Sequence, residues 1–280
     1  MIRRCNATGT LVVIPRLQQL TTFMNAMQAE SSKGRHALFQ RNTGLTPEDV
    51  SILLYNGLYS LDRSVEDWGH AMGDMKSHRI ESRVQGIVAD LQFRFPADGH
   101  LSVQVFPMDT DDTFGREKLG GVSGWTNWEG TTISLVVYPD AQTLPRLHAT
   151  VVHEYHHHYR TTLLNNGHDR IPLLESLVRE GLAEHFVKEL LGDVARGPYA
   201  TALSQDDAQS LWVEVYRDRI FLEGEDNTGP YQFGGGTSGL PLWAGYSMGY
   251  HLVDWYRKTH PKLSVSDLTV LNANCFIPED

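Results

Sequence analysis

The feature that most restricts how this chain can fold is a glutamate set between two histidines, His153-Glu154-Tyr155-His156-His157. Four residues are slightly more than one helical turn, so the outer imidazoles share a face only if the stretch is α-helical. Its surroundings agree, because Leu147, Val151, Val152, Tyr155 and Tyr159 form an apolar set away from His153 and His157. The helix is expected to start near Pro145 and to stop at Asn165-Asn166-Gly167. On it, His153 and His157 can converge on one metal ion through ring nitrogens at about 2.0–2.1 Å. Glu154 then lies at the edge of that face, placed to act on a water. His156 and His158 point elsewhere by the same geometry and read as supporting or surface residues. The competing reading is a histidine-rich, solvated helix face.

Two histidines leave a catalytic metal site one protein ligand short. The longer, metzincin form of the motif needs Gly at 160 and His at 163. The chain has Arg160 and Leu163. A second helix is expected from Pro172 to Gly192, with Leu173, Leu174, Leu177, Val178, Leu182, Phe186 and Leu190 as its apolar face. It carries Glu180-Gly181-Leu182-Ala183-Glu184, and the chain between allows one helix to end and the next to return antiparallel. Glu180 is the candidate third ligand, and Glu184, one turn on, the candidate to hold the outer nitrogen of a ligating histidine. Gly181 would let another helix come close. The alternative is that both glutamates are exposed carboxylates paired with Arg179 and Lys188.

The rest of the chain divides into a mainly helical region, residues 1–95, and a mixed region, residues 96–280. Leu17, Leu20, Phe23, Met24 and Met27 recur at helical spacing, and Thr46-Pro47-Glu48-Asp49 reads as a helix start. A further helix is expected over about 65–93, with Met72 and Met75 as packing residues. Leu101, Val103 and Val105 alternate as in a half-buried strand, and 131–138 is β-branched and strand-like. Gly120 to Gly124 and Trp125 to Gly130 mark turns. Asp109, Asp111 and Asp112 lack the glycine and final glutamate of a calcium loop and read as a solvated turn. A helical segment around 208–222 precedes Gly234-Gly235-Gly236-Thr237-Ser238-Gly239. That glycine run lacks the Lys-Ser/Thr of a phosphate cradle and reads as a flap or linker. A last helix is expected over about 243–258.

Composition narrows the partners. With 24 Lys+Arg against 34 Asp+Glu, the net charge of −10 disfavours nucleic acid or an anionic lipid surface. Cys5 and Cys275 supply neither a disulfide framework nor a zinc finger. No apolar run is long enough to span a bilayer. Arg3 and Arg4 precede a short apolar stretch that Pro15 and Arg16 cut off, so a mature cytoplasmic protein is expected rather than a secreted one. The Asn6-Ala7-Thr8 triplet carries no weight without a secretion signal.

His153-Glu154-Tyr155-His156-His157, Glu180-Gly181-Leu182-Ala183-Glu184 and Gly245-Tyr246-Ser247-Met248-Gly249-Tyr250 together resemble the YjaZ-like family of predicted zinc-dependent bacterial proteases. The turn at 120–124 and the strand after it resemble that family too, and the likeness covers roughly residues 90–260. It implies a gluzincin-like member of the zincin fold: an α+β domain with a small mixed sheet, an active-site helix and a strand edge above it.

The implied chemistry is peptide hydrolysis on a peptide or protein substrate. Zn²⁺ would be held by His153, His157 and Glu180, a donor set that favours zinc over magnesium or calcium. Glu154 would be the general base, and a donor to the oxyanion would come from Tyr246, Tyr250 or His251, with Tyr246 the first choice. Against that stands a plain aromatic packing face of Trp243, Tyr246, Tyr250, Trp255 and Tyr256. An extended peptide would add to a strand edge within residues 123–137. Two rivals stay open: a metal-dependent hydrolase of a non-peptide amide or ester, and a catalytically silent zinc-binding stress-response protein.

Overall fold

The computed structural model describes residues 9–168, 170–236 and 238–279. Arg3, Arg4, Cys5 and the Asn6-Ala7-Thr8 triplet lie outside the described residues, as does Thr237 of the glycine-rich loop. The fold is α+β, with a small mixed sheet among many helices. Two compact units are distinguished, one of residues 9–127 and 131–155, the other of 128–130 and 156–279.

In the first unit, β1 (Thr10–Val13) leads into α1 (Arg16–Ala26), α2 (Ser32–Thr43), α3 (Pro47–Tyr55), α4 (Val65–Ser77) and α5 (Ile80–Arg94). Three strands follow: β2 (His100–Pro107), β3 (Val122–Thr126) and β4 (Thr132–Val137). The sheet order is β1-β2-β4-β3, parallel except for the antiparallel β3–β4 pair. Thr46 caps α3 as expected, with Asp49 completing a reciprocal capping box. Met72 and Met75 are core residues.

Several local expectations change. The helix read over 65–93 is broken at His78-Arg79, where Arg79 takes a left-handed φ of 52°. β2 is buried along most of its length rather than half-buried, because α1 and α4 pack against it and both of its faces are covered. β3 occupies part of the stretch read as turns and forms a sheet edge, while β4 lies inside. Asp109 is not solvated: it is buried and takes Arg63 Nη2 at 2.6 Å and the backbone N–H of Ser60 at 2.8 Å.

The long helix α6 (Leu144–Leu164) runs on from β4 and a short turn. In the second unit come α7 (Leu173–Leu191), α8 (Gln205–Leu211), α9 (Glu225–Gln232), α10 (Ala244–Thr259) and α11 (Val265–Thr269). α7 is buried on nearly every side, its charged residues Arg179 and Glu184 included, and packs most extensively against α10. Their crossing is set by two glycines. A Cβ on Gly181 would stand 2.0 Å from the carbonyl oxygen of Gly249, and one on Gly249 would stand 1.8 Å from that of Leu177. The backbones therefore touch where Glu180 leaves α7. Among the described residues, no helix is long and apolar enough to cross a membrane.

Candidate metal centre

α6 places His153, Glu154 and His157 together, each buried, with one potential ligand atom per residue lying within 4.8 Å of the others. This is the i, i+4 geometry expected of one helical face. β3 lies over the helix at this point, and only a glycine fits there. A Cβ on Gly124 would meet Thr150 Cγ2 at 2.8 Å and Glu154 Cγ at 3.1 Å. From the same strand, the Thr126 hydroxyl lies 2.8 Å from Glu154 Oε2 and 2.9 Å from the Glu154 backbone oxygen. The carboxylate thus has a fixed direction that the motif alone did not reveal.

Glu180 on α7 brings Oε2 to 3.6 Å from Nε2 of His157. The other ring nitrogen of His157, Nδ1, faces Arg179 Nε at 3.2 Å, and that guanidinium lies over the Trp128 ring at 5.6 Å. Neither glutamate is the exposed carboxylate of the alternative reading. Glu184 is only 1% exposed and accepts the backbone N–H of Gly197 at 2.6 Å, and Lys188 pairs with Asp193 at 3.2 Å.

The three candidates on α10 stand in different settings. The Tyr250 hydroxyl accepts from Lys188 Nζ at 3.0 Å, and its ring stacks on His185 at 4.3 Å. His251 Nε2 lies 3.1 Å from the carbonyl oxygen of Leu203, and burial lowers the pKa of its ring. Tyr246 packs beside Tyr199 and Phe233 and lines a cavity of about 130 Å³ with Glu180, Trp128, Ile171 and Gln232. Of the three, Tyr246 shares a cavity with Glu180.

His156 and His158 are not surface residues. His156 Nε2 meets Thr269 Oγ1 at 3.1 Å, and His158 Nδ1 donates to the carbonyl of Gly130. Burial lowers the pKa of His158 and outweighs the opposing pull of that carbonyl. Arg160, 1% exposed, forks onto Glu175 with two 2.9 Å contacts and donates to the carbonyl oxygen of Thr269. Sequence reasoning missed the roles of Thr126 and Arg160, and it considered Arg179 only as a partner of an exposed glutamate rather than as a neighbour of His157. Only Arg160 had a local signal, a charge placed among residues committed to the interior.

The donor set fits a transition metal of zinc type. Donors bonded at about 2.0–2.1 Å around a tetrahedral ion sit roughly 3.3 Å apart, close to the 3.6 Å between His157 and Glu180. Two imidazoles with carboxylates also suit zinc better than magnesium or calcium.

The chain has relatives among known proteins. Residues 80–278 match the family described as "Predicted Zn-dependent protease". The uncharacterized protein YjfC of Bacillus subtilis (strain 168) is 30% identical over 169 residues, covering 58% of this chain and 54% of that protein. The uncharacterized protein YjaZ of the same organism is 28% identical over 130 residues, covering 46% and 49%. The chain therefore spans about half the length of the curated relatives it matches. No solved structure matches it.

Proposed function

The chain belongs to this family of predicted Zn-dependent proteases, and from that premise we propose that it is a zinc-dependent peptidase of gluzincin type with a zincin-like fold. The observation that carries the reading is the buried His153-Glu154-His157 cluster on one helix, with Glu180 beside His157. On this reading residues 96–280 carry the chemistry, and the mainly helical region of residues 9–95 lies outside it.

His153, His157 and Glu180 would hold the ion. Bound zinc would supply Lewis acidity, polarising a carbonyl and acidifying water. If His157 held the ion through the nitrogen facing Glu180, its proton would sit on the other, and the Arg179 N–H now facing that nitrogen would turn away. The face of Trp128 already accommodates that guanidinium. Glu154 takes a proton from the attacking water and delivers it to the leaving amine. The Thr126 hydroxyl holds the Glu154 carboxylate in place for both transfers. Tyr246 donates to the oxyanion that develops on the scissile carbonyl. Glu184, fixed by Gly197, braces the α7 face that presents Glu180. An extended peptide would add along the free edge of β3, whose main chain runs beside Glu154.

The test combines metal analysis with peptide-library cleavage. Wild type should hold one equivalent of zinc and cleave peptides, His153→Ala should lose the metal, and Glu154→Gln should keep it while losing cleavage. Stoichiometric zinc with no hydrolysis of any peptide would point instead to the silent zinc-binding protein. Unchanged metal content in His153→Ala would remove the site altogether.

A further inference from the structure

The first unit contains a second cavity, of about 350 Å³, that none of the candidate site residues line. Its position follows from the sheet. Met108 and Tyr138 come directly after β2 and β4, which run parallel and pair with each other. The cavity therefore lies beyond the carboxyl ends of two parallel strands, where sheets of that kind usually hold ligands. Tyr59 is fixed beside them, because its backbone N–H donates to the Pro107 carbonyl oxygen at 2.9 Å. α4 adds Asp74 to the lining, and the turn after β4 adds Asp140. The volume is at the lower end of the range for small-molecule sites.

Tyr59 is only 5% exposed, yet its hydroxyl has no hydrogen-bond partner among the described residues. A buried tyrosine hydroxyl usually finds one. The oxygen is not sealed off either, since the fully buried, unpaired side-chain atoms belong to other residues. What exposure the side chain keeps opens on the cavity it lines. Burial, helped by the nearby Asp67, raises the pKa of Tyr59, so the hydroxyl stays neutral and its oxygen can accept a hydrogen bond.

The charge of the lining selects the ligand. Asp140 gives Oδ1 to the backbone N–H of Gln142 at 2.9 Å, and Asp74 pairs with no cationic side chain among the described residues. No lysine or arginine lines the cavity. Two guanidiniums approach its tyrosines, but Arg63 is committed to Asp109 and Asp111. Arg116 lies over the Tyr138 ring at 4.6 Å and donates to the Thr110 carbonyl oxygen. An anion entering the cavity meets two carboxylates, and a neutral group leaves both without a counter-charge. A primary ammonium has three N–H donors and no acceptor, which matches two carboxylates and a hydroxyl oxygen. Met108 and the tyrosine rings suit a short apolar stem. A metal ion fits less well. His70 and His78 also line the cavity but stand about two turns apart along α4. Among the described residues, it is His153, Glu154 and His157 that gather three ligand atoms within 4.8 Å.

We propose that this cavity is a binding site for a small primary amine, whose ammonium group is read by Asp74, Asp140 and the Tyr59 hydroxyl. The site is separate from the candidate metal centre and does not depend on the peptidase reading.

The test is calorimetric titration of the full chain with three probes that share one body: phenethylamine, phenethyl alcohol and hydrocinnamate. The amine should bind about tenfold more tightly than the alcohol, as expected of hydrogen bonds to a charged group, and the acid should not bind. Asp74→Asn and Tyr59→Phe keep the shape of the side chain, and Asp140→Asn also keeps an oxygen for the Gln142 N–H. Each should weaken the amine by about fivefold or more and leave the alcohol unchanged. An unchanged affinity for the alcohol shows that the cavity is still folded. No binding of the amine to wild type, equal affinities for amine and alcohol, or a preference that survives all three substitutions would overturn the proposal. So would zinc displacing the amine from the His153→Ala protein, which would make the cavity a metal site.

Discussion

Gly181→Ala tests whether the α7–α10 crossing positions the candidate ligand. In an open helix this change is favourable, because alanine is a better helix former than glycine by about 0.8–1 kcal/mol. Here the added methyl would lie 2.0 Å from the carbonyl oxygen and 2.3 Å from the carbonyl carbon of Gly249, where ordinary contact begins near 3.4 Å. Both partners are helical backbone, so no rotamer change relieves the overlap and the helices must separate by well over an ångström. Overpacking of this kind costs about 1–3 kcal/mol and sometimes more, and a clash of backbone with backbone belongs at the upper end. After the propensity gain, the expected loss is about 2 kcal/mol. For a chain of this size that lowers the melting temperature by roughly 4–8 °C. Gly86→Ala is the control: Gly86 lies in mid-α5 with nothing within 4 Å of a new Cβ, so its melting point should rise by roughly 1–4 °C. Circular dichroism melts of the three proteins read both effects. Metal titration of Gly181→Ala should show weakened zinc binding, since Glu180 is the neighbouring residue. If Gly181→Ala melts at or above wild type, close backbone approach is not the reason for glycine there.

Two further outcomes are expected. Thr126→Val keeps the shape of the side chain but removes the hydroxyl 2.8 Å from Glu154 Oε2, so kcat on a cleaved peptide should fall about tenfold with zinc content unchanged; an unaltered kcat would deny Thr126 its positioning role. His185 is held by burial at a pKa of about 4 against its usual 6.5, despite the Tyr250 carbonyl that favours its charged form. It therefore stays neutral in the folded protein where the unfolded chain takes up a proton, and its contribution, complete above pH 6.5, is lost as pH falls toward 4. In melts from neutral pH down to 4, the stability difference between wild type and His185→Gln should shift against wild type as pH falls, and a constant difference would refute the linkage.

The parts of the fold legible in the sequence are those whose information is local. α6, α7 and α10 announce themselves by apolar spacing over several turns, and α3 by the Thr46 cap. β1 was not legible, because four residues carry no usable period and its partner β2 lies far along the chain. The break between α4 and α5 was hidden for a different reason. It uses neither glycine nor proline but a left-handed Arg79, a strained choice that sequence rules assign to Gly or Asn. Asp109 looked solvated because its partner Arg63 comes from a distant loop, and an ion pair leaves no trace in local composition.

The candidate site shows the same division at the scale of single residues. Helical geometry fixed the angle between His153-His157 and His156-His158, but an angle says nothing about which directions are covered. His156 and His158 point away from the ligand face, which leaves supporting and surface roles equally open. In the structure Glu154, His156, His158 and Arg160 are all buried, so these polar side chains must find partners, and they come from remote segments: Thr126, Gly130, Glu175 and Thr269. That burial has a chemical consequence. Charges and dipoles held away from water interact more strongly than exposed ones, and their partners fix their directions before any substrate arrives. A general base at Glu154 benefits on both counts, since its carboxylate is buried and already aimed by Thr126. The motif therefore identified which residues could do the chemistry, whereas their pre-arrangement depends on contacts that only the folded chain supplies.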